Sequence, residues 1–507
     1  MANPLYDTLF GRHATSDAEF LRPPAAQSLS YRAFVARAAQ IAHVLVEAGL
    51  RAGDRLAAQV EKSPEALMVY AACAQAGIIF LPLNTGYRAG ELRYFIENSG
   101  ARLVIVDPAR EAEVTALAER AGAAVLTLSS QGQGSLMARA DEMPGTFETV
   151  PREPGDLAAF LYTSGTTGRS KGAMLTQNNL LSNAQILAEY WRFSAADCLL
   201  HALPIFHTHG LFVATNIMLV VGGRMIFLPK FDIDSLIEAL PQATTLMGVP
   251  TFYTRLLADP RFTRAAAAHM RLFVSGSAPL LAETHAAFEA RTGHRILERY
   301  GMTETNMNTS NPYDGERRAG TVGFALPGVA LKVTSPDTGE ALPQGEIGQS
   351  EVKGENVFKG YWGMPEKTAA ELREDGFFKT GDLGRIDPDG YVQIVGREKD
   401  LIISGGFNIY PKEIEALLDE QPGVLESAVI GVPHADFGET PLALLVPKAG
   451  ETPDLGVAKA SVSATLARFK HPRDFIVISE LPRNAMGKVQ KNLLRAAYRD
   501  HFARPES

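Results

Sequence analysis

Cysteine is nearly absent from this chain: Cys73 and Cys198 are the only two in 507 residues. Two such residues give no disulfide framework, as in a reducing cytoplasm, where the protein is expected to reside. An excess of positive charge is missing too. Lys and Arg number 49 against 57 Asp and Glu, a net charge of -8, which argues against nonspecific nucleic-acid binding. Met1 to Phe20 lack a basic start followed by an apolar run, so no signal peptide is expected. The uncharged stretch Ala66 to Asn84 raises the question of a membrane span. However, Ser63-Pro64-Glu65 reads as a helix start, with Ser as N-cap and Pro at N1, and Gly77 ends that helix. Ile78-Ile-Phe-Leu81 then reads as a buried strand, so two short elements replace one span.

The chain is too long for one core, so two or more domains are expected. Hydrophobic residues at 46% and charged residues at 21% are ordinary globular values. Through the first ~300 residues helix and strand signals alternate. Tyr31 to Ala48 has helical apolar spacing. Leu103-Val-Ile-Val106, Val125 to Leu128, Met225 to Leu228, Thr245 to Val249 and Leu272 to Ser275 read as buried strands. That alternation predicts an α/β fold with parallel βαβ sheets. After about Thr321, Leu331 to Thr334, Gly348 to Lys353 and Gly390 to Val395 alternate between turns and predict a smaller antiparallel β region. The last ~110 residues, with strands at Leu425 to Val432, Leu442 to Val446 and Phe475 to Ile478, are enough for a small α+β domain.

The segment Tyr162-Thr-Ser-Gly-Thr-Thr-Gly-Arg-Ser-Lys-Gly172 follows the apolar run Leu157 to Leu161. It reads as a strand entering a loop of small residues. Gly165, Gly168 and Gly172 allow close backbone approach to a ligand. The hydroxyls of Thr163, Ser164, Thr166 and Thr167 can donate to phosphate oxygens, and Lys171 adds a point charge. The glycine spacing fits neither a Walker A loop nor G-x-G-x-x-G. A Ser/Thr/Gly surface loop has the same composition, so this segment alone leaves both readings open.

Other polar, glycine-punctuated segments follow: Ser275-Gly-Ser-Ala-Pro279, Glu298-Arg-Tyr-Gly-Met-Thr-Glu304, Thr380-Gly-Asp-Leu383, Gly396-Arg-Glu-Lys-Asp-Leu401, Ser404-Gly-Gly-Phe407 and Pro482-Arg-Asn-Ala-Met-Gly-Lys-Val489. In this order they resemble the adenylate-forming superfamily of acyl-CoA synthetases, nonribosomal-peptide adenylation domains and luciferases. The resemblance runs from about Ser30 to Arg495. It implies a large N-terminal domain, residues 1–398, and a small mobile C-terminal lid, residues 399–507, hinged at Lys399. It also implies ATP, Mg²⁺ and coenzyme A. A carboxylate first attacks the ATP α-phosphate to give acyl-AMP and pyrophosphate, and a thiol then attacks the acyl-AMP.

On that resemblance, Thr163, Ser164, Gly165, Thr166, Thr167, Gly168 and Lys171 cradle the outer phosphates. Ser277, Ala278, Glu298, Arg299, Tyr300, Gly301, Met302 and Thr303 line the AMP site, and Tyr300 offers adenine a flat face. Glu304 helps hold Mg²⁺, a hard cation suited to carboxylate and phosphate oxygens, with Thr303 beside it. Asp382 accepts from the ribose hydroxyls near Arg397. Lys488 bridges the carboxylate and the α-phosphate, offsetting a repulsion of about 4 kcal/mol for unit charges ~4 Å apart at an effective dielectric of ~20. After lid rotation Ser404, Gly405, Gly406 and Phe407 line the pantetheine channel, and Lys470-His-Pro-Arg473 is a candidate for CoA phosphates. Lys488 also resembles the lysine on which protein acetyltransferases and deacetylases act in bacterial acyl-CoA synthetases.

The acid is read from one departure. Relatives using apolar acids often carry glycine before Tyr-Gly-Met-Thr-Glu, where this chain has Arg299. A guanidinium in an apolar pocket is a costly unpaired charge, but opposite a second carboxylate it makes a bidentate pair. The alternative is an arginine that points to solvent or pairs with Glu298. His207, Ser277 and Met302 are expected to complete the pocket. The His207/His209 pair suggests a metal site but lacks a third ligand at a recognisable spacing. The pattern looks like malonyl-CoA synthetases in particular, with methylmalonate as a second substrate. Alternatives are a synthetase for another small acid, an enzyme loading a carrier protein in trans, or an inactive AMP-binding sensor.

Overall fold

Short apolar runs, some buried along their whole length, contribute parallel strands to two sheets in the computed structural model; Leu103–Val106 is the clearest case. The structure describes residues 2–24, 27–163, 170–336, 338–404, 407–434, 437–484 and 487–502.

One sheet has six strands in the order Ala124–Thr127, Leu103–Val106, Arg55–Gln59, Ile79–Pro82, Leu157–Thr163 and Lys171–Thr176. Its pairings are parallel except the last, an antiparallel hairpin that sets Thr163 opposite Lys171. The second sheet has nine strands, with Leu297–Met302, Leu272–Ser275, Thr245–Gly248, Cys198–His201, Arg224–Phe227 and Glu19–Arg22 parallel in its middle. Its edges, Asn306–Ser310 with Phe324–Ala325 and Leu29–Ser30, are antiparallel.

One hydrophobic core joins the two sheets. Helix Pro64–Ala76 lies inside it, buried from Ala66 to Ala76. Ser63 caps it through Ala66 N–H, and Gly77 ends it at φ 69°. A helix apolar on every face belongs in a core, which explains the uncharged stretch. Among the described residues no helix is long and apolar enough to cross a membrane.

The antiparallel region expected after Thr321 is a four-stranded sheet of Ala330–Thr334, Gly348–Lys353, Phe378–Ile386 and Val392–Arg397. Beyond it the core changes. The sheet built on Val424–His434 and Gly438–Pro447 buries alternate residues on opposite faces. Val429, Ala443 and Leu445 pack with Ile414 and Leu418, whereas Ile430, Leu442 and Leu444 pack with Leu481 and Leu494. These two clusters contain no residue before Ile402, and the main cores contain none after Phe378.

Among the elements that went unread in the sequence, three stand out. Cys198–His201 is a central strand without a β-branched residue. Asn306–Ser310 is fully buried yet polar, its neighbourhood held by Asn183 and Asn356 amides bonding the Met307 backbone. His209–Thr215 forms a π-helix, a departure from α geometry that often marks a functional site.

Candidate active site

The carboxyl ends of the parallel strands open onto one cleft, the usual place for a ligand in such sheets. Strand Leu272–Ser275 runs into Gly276 and Ser277, and strand Leu297–Met302 runs into a tight turn at Thr303 and Glu304. A Cβ on Gly276 would collide with the Arg299 guanidinium, and one on Gly301 with the Asn306 carbonyl. Ser277 and Asn306 hold positive φ, 71° and 49°. Strained backbone of this kind persists where the surroundings over-determine it.

The nucleotide end is internally paired. Asp382 and Arg397 face each other across two antiparallel strands, with Arg397 Nε 2.7 Å from Asp382 Oδ1. The Asp382 charge holds the Arg397 guanidinium above its ordinary value. Tyr300 donates its hydroxyl to the other Asp382 oxygen, which fixes the ring. Glu304 is buried; Thr163 Oγ1 lies 3.4 Å from its Oε1 and Tyr361 Oη 3.0 Å. Burial raises the Glu304 carboxyl against the opposing charges of Lys171 and Arg397. A buried carboxylate beside a threonine hydroxyl is a hard-oxygen donor set that suits Mg²⁺. Among the described residues no group of three or more His, Cys, Asp or Glu is placed to hold a metal, so phosphate and water must supply most ligands, as Mg²⁺ tolerates. That also leaves the His207/His209 pair without a third ligand.

Lys171 sits beside Glu371 at 3.3 Å and over the Tyr361 ring at 4.1 Å. Ser164, Gly165, Thr166, Thr167 and Gly168, expected around the phosphates, lie outside the described residues, as do Gly405 and Gly406. Glu298, expected among the nucleotide contacts, has its carboxylate engaged 3.3 Å from His285 Nδ1. Ala278, Met302 and Thr303 are half-buried at the cleft.

The acid end is different. Arg299 is buried, and its Nε and Nη2 have no partner among the described residues. It neither reaches solvent nor pairs with Glu298. Burial pulls its guanidinium down to about 9, still charged at neutral pH. Ser277 Oγ lies 3.2 Å from His209 Nδ1, and His209 Nε2 is buried without a partner among the described residues. Burial, then the Lys488 and Arg299 charges, pull His207 down to about 3; burial and Arg299 pull His209 well below its ordinary value. Both imidazoles are therefore neutral, each with one N–H to donate.

Lys488 enters from the loop between strand Asp474–Val477 and helix Lys491–Ala497. Gly487 before it takes φ 73°, and a side chain there would lie against Thr251. Lys448 pairs with Glu283 at 3.1 Å across the same junction. The half-buried Lys488 ammonium is lowered to about 8 by burial and the Arg397 charge, with Asp382 and Glu304 opposing. It thus shares one field with Arg397, Asp382, Glu304 and Arg299. At Lys399 the chain makes a short 3₁₀ turn, Glu398–Asp400, whose Lys399 carbonyl accepts from Arg495 at 2.8 Å. Ser404 is buried, whereas Phe407 is exposed and stacks on Phe469 at 4.7 Å, beside Lys470, which pairs with Glu413.

Two site residues were missed. Tyr361 lies in Gly360-Tyr-Trp-Gly363, whose bracketing glycines were a usable signal. Glu371, at the end of helix Pro365–Glu371, carried none.

The model of the AMP-binding enzyme family matches residues 11–362, and that of the AMP-binding enzyme C-terminal domain matches 413–488. A sulfoacetate–CoA ligase from Cupriavidus necator is 35% identical, covering 96% of this chain and 97% of that protein. A malonate–CoA ligase from Arabidopsis thaliana is 36% identical over 83% and 74%. ATP-bound MatB from Rhodopseudomonas palustris is 56% identical, covers 99% of this chain and 100% of its own, and superposes with a TM-score of 0.97; its apo form gives 0.87.

Proposed function

The chain belongs to the AMP-binding enzyme family and is an AMP-forming acid–CoA ligase that uses ATP and coenzyme A, and on that premise we propose that its acid is malonate, with methylmalonate as a second substrate. The observation that carries this reading is Arg299: a buried guanidinium with two nitrogens unpartnered. An uncompensated buried charge costs several kcal/mol. A second carboxylate on the substrate supplies the missing partner, in bidentate form. Ser277 and the neutral imidazoles of His207 and His209 add donors around it. The malonate–CoA ligase among the relatives agrees with this choice. The sulfoacetate–CoA ligase is a relative whose named acid also carries a second anionic group.

In the first half-reaction one malonate carboxylate oxygen attacks the α-phosphorus and the bond to pyrophosphate breaks. Lys488, cationic and half-buried, lies between the nucleotide residues and Arg299 in charge terms, and it offsets the repulsion of the two anions. Asp382 accepts from ribose, held by Arg397 and Tyr300. Thr163 and Lys171 flank the outer phosphates. Glu304 would hold Mg²⁺, which supplies charge neutralisation on the phosphates when bound. In the second half-reaction the CoA sulfur attacks the acyl carbonyl carbon and AMP leaves. Residues 399–507 act as the lid, turning about Lys399 to withdraw Lys488 and bring Ser404 and Phe407 to the pantetheine arm. The Lys488 position and the higher TM-score to the ATP-bound relative both support reading this structure as the adenylation state. An acetyltransferase acting on Lys488 would need the lid open, since the ammonium is half-buried here, and acetylation would remove its charge.

The test is AMP formation with ATP, Mg²⁺ and CoA against malonate, methylmalonate, sulfoacetate, succinate, acetate, butyrate and octanoate. The expected order places malonate first and the monocarboxylates far below, because they leave Arg299 unpaired. Comparable turnover of butyrate or octanoate would overturn malonate as the acid while leaving the ligase chemistry intact.

A further inference from the structure

Lys171, the lysine at the phosphate loop, is already occupied in this structure. Its Nζ lies 3.3 and 3.5 Å from the two Glu371 oxygens, and both side chains are largely shielded, at 10% and 21% exposure. The carboxylate has two other partners. Lys367, one helical turn before it, approaches at 2.7 Å, and Tyr361 donates to its Oε2 at 2.6 Å. Tyr361 Oη also lies 3.0 Å from Glu304 Oε1. One phenolic hydrogen cannot serve both carboxylates, and the shorter contact assigns it to Glu371.

The asymmetry between the partners matters. If Lys171 leaves, Glu371 keeps Lys367 and Tyr361 and is not stranded as a buried unpaired charge. If Glu371 were absent, Lys171 would lose the ion pair it makes among the described residues, leaving Glu304 as the carboxylate its charge acts on. The arrangement therefore lets the lysine transfer at little cost between an internal carboxylate and an external polyanion. We propose that Glu371 is a positioning residue that competes with the outer phosphates for Lys171, parking the lysine in the empty site and reclaiming it as pyrophosphate departs. The pairing weakens polyphosphate binding and quickens release of the product. This rests on reading Lys171 as a phosphate ligand, and it holds whichever acid the enzyme takes.

The sign separates this role from structural support. Glu371→Gln keeps the size and a carbonyl acceptor for Tyr361 but removes the charge that attracts Lys171. Expected in the full-length enzyme are pyrophosphate inhibition about fivefold tighter and an ATP KM lower by a similar factor, the scale of a partly shielded ion pair. The KM for the acid is expected to stay within about twofold. In a Lys171→Ala background the same substitution is expected to change neither ATP KM nor pyrophosphate inhibition, which a double-mutant cycle reads directly. Weaker ATP and pyrophosphate binding in Glu371→Gln, or an effect that survives in Lys171→Ala, overturns the proposal. Direct titration of ATP and of pyrophosphate by calorimetry, without any acid, gives the same comparison if malonate proves the wrong substrate. Glu371→Asp, which keeps the charge, serves as the folding control: wild-type-like pyrophosphate inhibition is expected, and tightening equal to that of Glu371→Gln would count against the competition.

Discussion

The two ends of the cleft handle charge in opposite ways. At the end proposed for the nucleotide the charged groups have internal partners: Asp382 has Arg397 and Tyr300, Lys171 has Glu371, and Glu304 accepts from Thr163. At the acid end Arg299 and the His209 imidazole are buried with polar atoms unpartnered. A site whose charges are satisfied beforehand is pre-organised and loses little on binding, but it discriminates weakly among ligands of one class. A site holding an orphan cation is destabilised when empty and binds best the ligand that completes it. On the proposed reading the second kind is what selects the acid.

Arg299 tests that contrast with the largest expected effect. Arg299→Ala is expected to lose about 2–5 kcal/mol of malonate recognition, roughly 30-fold to several thousandfold in kcat/KM, with ATP affinity nearly unchanged. Loss of the same size for butyrate would break the comparison. Lys488→Ala is expected to slow adenylation by on the order of a hundred- to a thousandfold for every acid. Thioester formation from preformed acyl-AMP is expected to change by less than about tenfold, and single-turnover measurements of the two halves check this. Asp382→Asn comes next. It removes a charged acceptor and leaves Arg397 without its ion pair, raising the ATP KM by about tenfold to a hundredfold, on a scale of about 1.5–3 kcal/mol for such a bond. The factor should be the same for malonate and methylmalonate. A factor that depended on the acid would mean that the two ends are coupled.

The same contrast explains what the sequence revealed. The parallel strands were legible because burial on both faces requires continuous apolar runs, as in Leu103–Val106, and the cap at Ser63-Pro64 was legible because its hydrogen bond is local. Arg299 was legible as an anomaly, a charge where an apolar pocket would exclude it. Asn306–Ser310 was not, because its polar side chains sit beside distant amides at Asn183 and Asn356, which no local pattern discloses. Cys198–His201 lacks β-branched residues and takes its strand form from neighbours on both sides. Glu371 is 200 residues from Lys171 in sequence, and its role exists only once the chain is folded.

The smallest effect expected is in the pH dependence. Lys488 must be charged to bridge two anions, and in the free enzyme burial and Arg397 bring it to about 8. The group is cationic below that value and neutral above it, so kcat/KM should fall as pH rises through about 8, by roughly tenfold per unit beyond it. Bound ATP and malonate are anions and favour the charged form, so the limb in kcat should lie at higher pH than the limb in kcat/KM. Arg299, which burial brings to about 9, starts to lose its charge only above Lys488, so the limb should have the slope of one proton between about 8 and 9 and steepen beyond. His207 and His209, both held neutral, should contribute no limb near pH 6. Lys488→Arg is expected to be slower yet to lose the limb near 8, since a guanidinium does not titrate there. A limb near 8 that persists in Lys488→Arg would assign it to another group and leave Lys488 without the bridging role.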